Sequence, residues 1–123
     1  LRTNIYEPDH LIILDPTLIE STPVDSGLKE GGWIVINTDK APGTFARFSR
    51  FRVATVDANR VALEHKLGSP TAPIVNTAIL GAFSRVTGMV GVDSIVEAMA
   101  EFVPVNKAGN AAAIKEAYEK ALA

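Results

Sequence analysis

Cysteine is missing altogether from this 123-residue chain. That absence excludes a disulfide scaffold, a thiolate zinc site, an iron–sulfur cluster bound by the chain's own thiolates and any cysteine nucleophile. It is compatible with a reducing cytoplasm, the location we expect. Histidine is scarce too: His10 and His65 are the only two, isolated from each other and from any metal-ligand neighbour at short spacing. Both read as surface or helix-end side chains rather than ligands. Long hydrophobic runs are also lacking. The longest, around Leu11–Leu14 and Trp33–Ile36, have strand length, far short of the ~20 residues that cross a bilayer, so no membrane partner is expected. The opening Leu1-Arg2-Thr3-Asn4 carries neither an initiator Met nor a signal-peptide core, and reads as an internal fragment or a processed product.

What is present describes one globular domain covering 1–123. Hydrophobic residues make up 47% and charged residues 21%, an ordinary balance for a packed core. The net charge of −2 hides an asymmetry. Residues 1–39 hold seven acids against Arg2 and Lys29, whereas residues 40–92 hold seven bases against Asp57 and Glu64. Such a pattern steers an anionic partner only if the cations share one face; otherwise they are solvated side chains. With a pI near 5.6, no nucleic-acid partner is expected.

Strands come first along the chain. Leu11–Asp15, Trp33–Asn37 and Arg52–Asp57 are β-branched, non-alternating runs, the pattern of strands covered on both faces. They predict a mostly parallel sheet between helices, an α/β fold of three-layer α/β/α type, with Leu1–Tyr6 a possible end of a further strand. Pro16–Gly32 is long enough for a parallel crossover and can hold helical turns. Phe45, Phe48 and Phe51 share one face of further turns. Ala58–Leu67 is a helix stopped by Gly68. The second half predicts helices over 75–86, from a capping box at Ser94–Glu97 to Pro104, and over 107–122. Their inward faces would carry Val75, Ile79, Ala82, Phe83 and Val86, then Ile95, Met99 and Phe102, then Ile114, Tyr118, Ala121 and Leu122. Asp93, Glu97 and Glu101 would line a solvated face, and Glu116 and Lys120 an outward pair.

Chemistry-bearing motifs are thin. No Walker sequence, Gly-x-Gly-x-x-Gly loop or Gly-x-Ser-x-Gly elbow is present. Asp15 and Asp57 close strands, where each either caps the following helix or faces a ligand at the carboxyl end of the sheet. Arg47, Arg50 and Arg52, interleaved with phenylalanines, either grip phosphates or point to water. Gly81 inside a helix marks a close approach, of another backbone or of a ligand. Metal ligands and catalytic residues are not expected. Read from residues alone, the chain is an α/β domain without a catalytic apparatus.

The stretch Thr71-Ala-Pro-Ile-Val-Asn-Thr-Ala-Ile-Leu-Gly-Ala-Phe83, continuing to Val86-Thr87-Gly88, closely resembles the gamma subunit of 2-oxoacid:ferredoxin oxidoreductases, with pyruvate the 2-oxoacid that overall similarity points to. The Glu7-Pro8-Asp9 entry to the first strand, Trp33–Asn37, Val56-Asp57-Ala58, Ser94–Met99 and Asn110 to Tyr118 follow in the family's order, so the resemblance spans the whole chain. A glycine-rich Gly-x-Gly-Gly-Gln-Gly-like segment that opens the family's gamma domain is not in the sequence. The resemblance therefore implies the C-terminal portion of that domain, lacking its first strand and prone to self-association when isolated. It further implies a complex of anaerobic metabolism that converts a 2-oxoacid and coenzyme A to acyl-CoA, CO2 and reduced ferredoxin. Thiamine diphosphate, Mg and [4Fe-4S] clusters would be held by alpha, beta and delta (ferredoxin-like) components, and no cofactor by this chain. Its role would be architectural, with a contribution to the coenzyme A route. Asn76, Thr77, Gly81, Arg47 and Arg50 are the candidate contacts for the coenzyme or for other subunits, Asn76 being equally readable as a helix N-cap. The alternative is a free-standing nucleotide- or partner-binding α/β domain.

Overall fold

A computed structural model describes residues 7–69, 72–103 and 106–123, so the possible strand over Leu1–Tyr6 and the role of Pro104 lie outside the described residues. Strands β1 (Leu11–Ile13), β2 (Trp33–Asn37) and β3 (Arg52–Val56) form a parallel sheet in the order β1-β2-β3, with Ile12 opposite Val35 and Val35 opposite Ala54. Expected and observed bounds agree within two residues. The burial pattern gives the reason: Ile34, Val35, Ile36 and Ala54 are fully enclosed, so successive residues of β2 are buried on opposite faces and no polar alternation is possible.

Each face has its own core. On one, Ile34 and Ile36 meet Phe48, Phe51, Ile19 and Leu28. These come from the one-turn helix α1 (Leu18–Ser21), the turns after it and two 3-10 turns at Pro42–Thr44 and Ala46–Phe48. On the other, Val35, Ala54 and Val56 pack against Ala62, Ile79, Ala82, Ala113 and Ala117. Those belong to helices α2 (Ala58–Glu64), α3 (Ile79–Thr87) and α5 (Lys107–Lys120). α4 (Val92–Phe102) packs outside them, against α3 and α5. A two-residue antiparallel pair, β4 (Gly68–Ser69) with β5 (Ala72–Pro73), follows α2.

Several boundaries differ from the sequence expectation, each for a local reason. α2 stops at Glu64, and Lys66 takes the left-handed turn that ends it, at φ 58°; Gly68, expected to stop the helix, follows two residues later at φ 81° as the start of β4. Leu67 N–H reaches back to Ala62 O (2.8 Å) and Lys66 N–H to Leu63 O (3.2 Å), closing the helix end while Leu67 enters the core. α4 begins at Val92 with Gly91 as N-cap, so Ser94 and Glu97 lie inside the helix and form no capping box. Phe102, expected inward, is 74% exposed. α3 starts at Ile79 after a turn over 76–78, four residues later than expected. Leu122 leaves α5 and bridges antiparallel to Thr55, with reciprocal backbone bonds of 2.8 Å, adding the chain end to the β3 edge.

Lys66 is exposed, and a β-carbon in the left-handed region is unfavourable by roughly 1 kcal/mol. Lys66→Gly is therefore expected to stabilise the protein by about 0.5–1 kcal/mol. Urea unfolding should show a raised midpoint at unchanged slope.

Candidate functional site

Because the three strands are parallel, their carboxyl ends open on one side, where open α/β sheets gather ligands. A crevice of about 470 Å³ there is lined by Asp15, Asn37, Thr38, Asp39, Asp57 and Asn59, among others. Asn37, 5% exposed, organises it. Its amide donates to Leu14 O and to Asn59 Oδ1, both at 3.0 Å, and its Oδ1 accepts from Ala58 N–H at 3.0 Å. One side chain thus joins the ends of β1 and β2 to the start of α2.

The two strand-closing acids are engaged locally. Asp57 accepts from Arg60 N–H at 3.1 Å and caps α2. Asp15 accepts from the Thr17 hydroxyl at 2.7 Å and from Thr17 N–H at 3.0 Å. These bonds, the hydroxyl first, hold its carboxyl below the usual range. A depressed folded value means that Asp15 contributes stability above the ordinary carboxylate range and loses it as pH falls through the depressed value.

Next to the crevice, a smaller cavity of about 170 Å³ lies between β3 and α5, lined in part by Thr55, Arg60, Glu116, Lys120 and Leu122. Thr55 is 1% exposed, and its Oγ1 is enclosed without a hydrogen-bond partner. Glu116 Oε2 is likewise enclosed without a hydrogen bond, 3.6 Å from Lys120 Nζ. The Glu116–Lys120 pair was legible in the sequence. Its third member was not: His65 Nε2 lies 3.2 Å from Glu116 Oε1, across 51 positions of sequence. His10 also has a fixed task, its Nδ1 accepting from Trp33 N–H at 3.0 Å while its ring meets Phe83 edge-on.

The five candidate contacts do not converge. Arg47 and Arg50 belong to the layer of Phe48 and Phe51, whereas Thr77 and Gly81 sit with α5 on the opposite face of the sheet. Arg47 donates to Ile19 O, pairs with Asp25 at 3.2 Å and lies over Phe48, bracing the α1 layer. Arg50 lies over the Phe51 ring, and Arg52 over Trp33 while donating to Gly31 O. The interleaved cations are thus spread over separate aromatic and carbonyl partners. Thr77 is buried and its hydroxyl donates to Asn110 Oδ1 at 3.2 Å. Gly81 faces the α5 backbone, so that a β-carbon there would stand 2.0 Å from Ile114 O. Asn76 is exposed in the turn before α3, where no side chain caps the helix start. As a set, these residues do not fit a single coenzyme pocket.

Comparison with known proteins supplies the context. Residues 1–120 match the family described as pyruvate ferredoxin/flavodoxin oxidoreductase. The chain is 42% identical over 124 residues to the Pyrococcus furiosus protein named pyruvate/ketoisovalerate oxidoreductases common subunit gamma, covering 98% of this chain and 65% of that protein. It is 44% identical over 121 residues to pyruvate synthase subunit PorC of Methanothermobacter marburgensis, covering 97% and 63%. Among solved structures, the PORC subunit of pyruvate oxidoreductase from Thermotoga maritima superposes with a TM-score of 0.78 at 30% identity, over 95% of this chain and 65% of that one. The chain thus spans just under two-thirds of the length of these relatives.

Proposed function

From the premise that this chain belongs to the pyruvate ferredoxin/flavodoxin oxidoreductase family, we propose that it is part of the gamma component of a 2-oxoacid:ferredoxin oxidoreductase, with pyruvate as substrate and ketoisovalerate as the second 2-oxoacid its relatives' names offer. The observation that carries this reading is the match over residues 1–120, together with a PORC-type fold over 95% of the chain. In such a complex, thiamine diphosphate with Mg, [4Fe-4S] clusters and coenzyme A supply decarboxylation, electron transfer and acyl capture.

This chain contributes architecture. With no cysteine it offers no thiolates for a cluster. Two of the side chains suited to anions are committed elsewhere: Arg47 to Ile19 and Asp25, Thr77 to Asn110. Exposed apolar side chains support a role among partners. Ile12, Leu14 and Leu18 are 36–48% exposed along β1 and α1, and β1 pairs only with β2 among the described residues. An open strand edge with such neighbours is a surface for another chain, and also the physical basis for self-association of isolated material.

Native mass spectrometry of the intact protein, tagged and drawn from its source, tests the reading. Recovery in a complex with alpha, beta and delta components is expected, with 2-oxoacid turnover in the complex and none in the separated chain. Recovery of the protein alone, with the iron-bearing partners in other fractions, would overturn it.

A further inference from the structure

We infer that His10 is an acid-sensitive latch, fastening the segment that leads into β1 to the start of β2 and opening when its imidazole takes a second proton. Trp33 N–H donates to His10 Nδ1 at 3.0 Å, across 23 positions of sequence. A backbone N–H can only donate, so Nδ1 holds its lone pair and the one proton of the neutral ring sits on Nε2. In the imidazolium both nitrogens carry a proton, and neither a ring flip nor a change of tautomer restores an acceptor. The N–H that opens β2 then faces a second donor.

The surroundings make this bond the end of a strap. Residues 8–10 lie along the turn before β2, where Lys29 N–H donates to Pro8 O at 3.1 Å and Lys29 Nζ pairs with Asp9 at 3.0 Å. Gly32 stands so close to Asp9 O that a β-carbon there has no room. The partly buried His10 ring meets Phe83 of α3 edge-on, the centroids 5.9 Å apart. The latch thus ties β1, β2 and α3 together at the amino end of the sheet, opposite the Asn37 crevice. Among the described residues no carboxylate bonds the ring to favour its charged form. Asp9 is engaged by Lys29, and Glu7 and Glu30 are exposed. The charges on the other elements packed here are cations, Arg52 over the Trp33 ring and Arg85 over Tyr118. In the unfolded chain the imidazole takes its proton in water without losing a bond. Stability is therefore complete above the ordinary histidine range, about 6.5, and is lost as pH falls below it. The Asp9–Lys29 pair answers only in the carboxylate range, so His10 is the link of the strap that responds near neutrality.

The test compares the intact wild-type protein with His10→Asn by urea unfolding between about pH 7.5 and 5. The asparagine Oδ1 stands close to the place of Nδ1 and accepts from Trp33 N–H without titrating. Relative to that variant, the wild-type unfolding constant is expected to rise by about fivefold or more across the interval, within the tenfold per pH unit that one linked proton allows. His65 and every other titrating group are common to both proteins and cancel. If His10→Asn fails to fold, long-range 1H–15N spectra of the wild-type imidazoles decide. His10 Nδ1 should be unprotonated at the upper pH, and its protonation should move the Trp33 amide resonance in step. The same pH response in both proteins, or a proton on His10 Nδ1 at the upper pH, overturns the inference.

Discussion

Replacing Gly81 with alanine is expected to destabilise the protein by about 2–4 kcal/mol, although the same change in an unconstrained helix stabilises by about 1 kcal/mol. The sign is reversed by what stands opposite. The added β-carbon would meet Ile114 O at 2.0 Å, and Ile114 C and Tyr118 N at 2.9 Å. All three are backbone atoms of α5, so no rotamer change can make room. α3 and α5 must separate, and Ala78, Ala82, Ala113 and Ala117, all at 0% exposure, would lose their close contacts. Gly43→Ala is the control, because nothing lies within 4 Å of a β-carbon built there. It should shift the urea midpoint little. Equal behaviour of the two variants would show that the helices are not packed backbone to backbone, and would remove the reason for a glycine in the middle of α3.

Gly81 also shows how far the sequence can be read. A glycine inside an apolar helical pattern announces a close approach, but not whether a helix or a ligand makes it. Only the placement of α5 decides. The strands were legible because β2 is sealed on both faces, which forces continuous apolar residues; their parallel sense followed from that pattern and the length of the first crossover, whereas the order β1-β2-β3 was not legible. The caps were legible where one side chain serves its own neighbourhood, as at Asp57. They were misread where two local solutions compete: Ser94 and Glu97 have capping-box spacing, yet Gly91 opens the helix three residues earlier. Phe102 and Leu122 continue a helical stripe on paper, but Phe102 emerges at the end of α4, 74% exposed, and Leu122 leaves α5 to bridge to β3 through its backbone, its side chain 54% exposed. The His65–Glu116 contact was invisible because its members lie 51 positions apart, and nothing in the spacing of a lone histidine points to a glutamate on another helix. Conversely, the arginines looked like a cluster because they are close in sequence. In the fold each is drawn to its own aromatic ring, and the sheet separates Arg47 and Arg50 from Thr77 and Gly81.

The organising residue of the carboxyl-end crevice, Asn37, gives the second large effect. Asn37→Ala is expected to destabilise by about 3 kcal/mol, since it strips the partner from Ala58 N–H, at a residue 0% exposed, and leaves Leu14 O without its donor. Asn37→Asp separates the two halves of that loss. The carboxylate still accepts from Ala58 N–H, but it turns an acceptor toward Leu14 O, where the native amide donates. Burying that charge without a cation raises the folded carboxyl above its unfolded value near 4. A raised folded value means that the deficit relative to wild type is small below pH 4 and grows as pH rises through the folded value. Stability differences measured by urea unfolding at several pH values should therefore diverge toward neutrality for Asn37→Asp and stay level for Asn37→Ala. A pH-independent difference for the aspartate would mean that Asn37 is hydrated rather than enclosed. The joining of β1, β2 and α2 through one amide would then have to give way to a crevice held by backbone pairing alone.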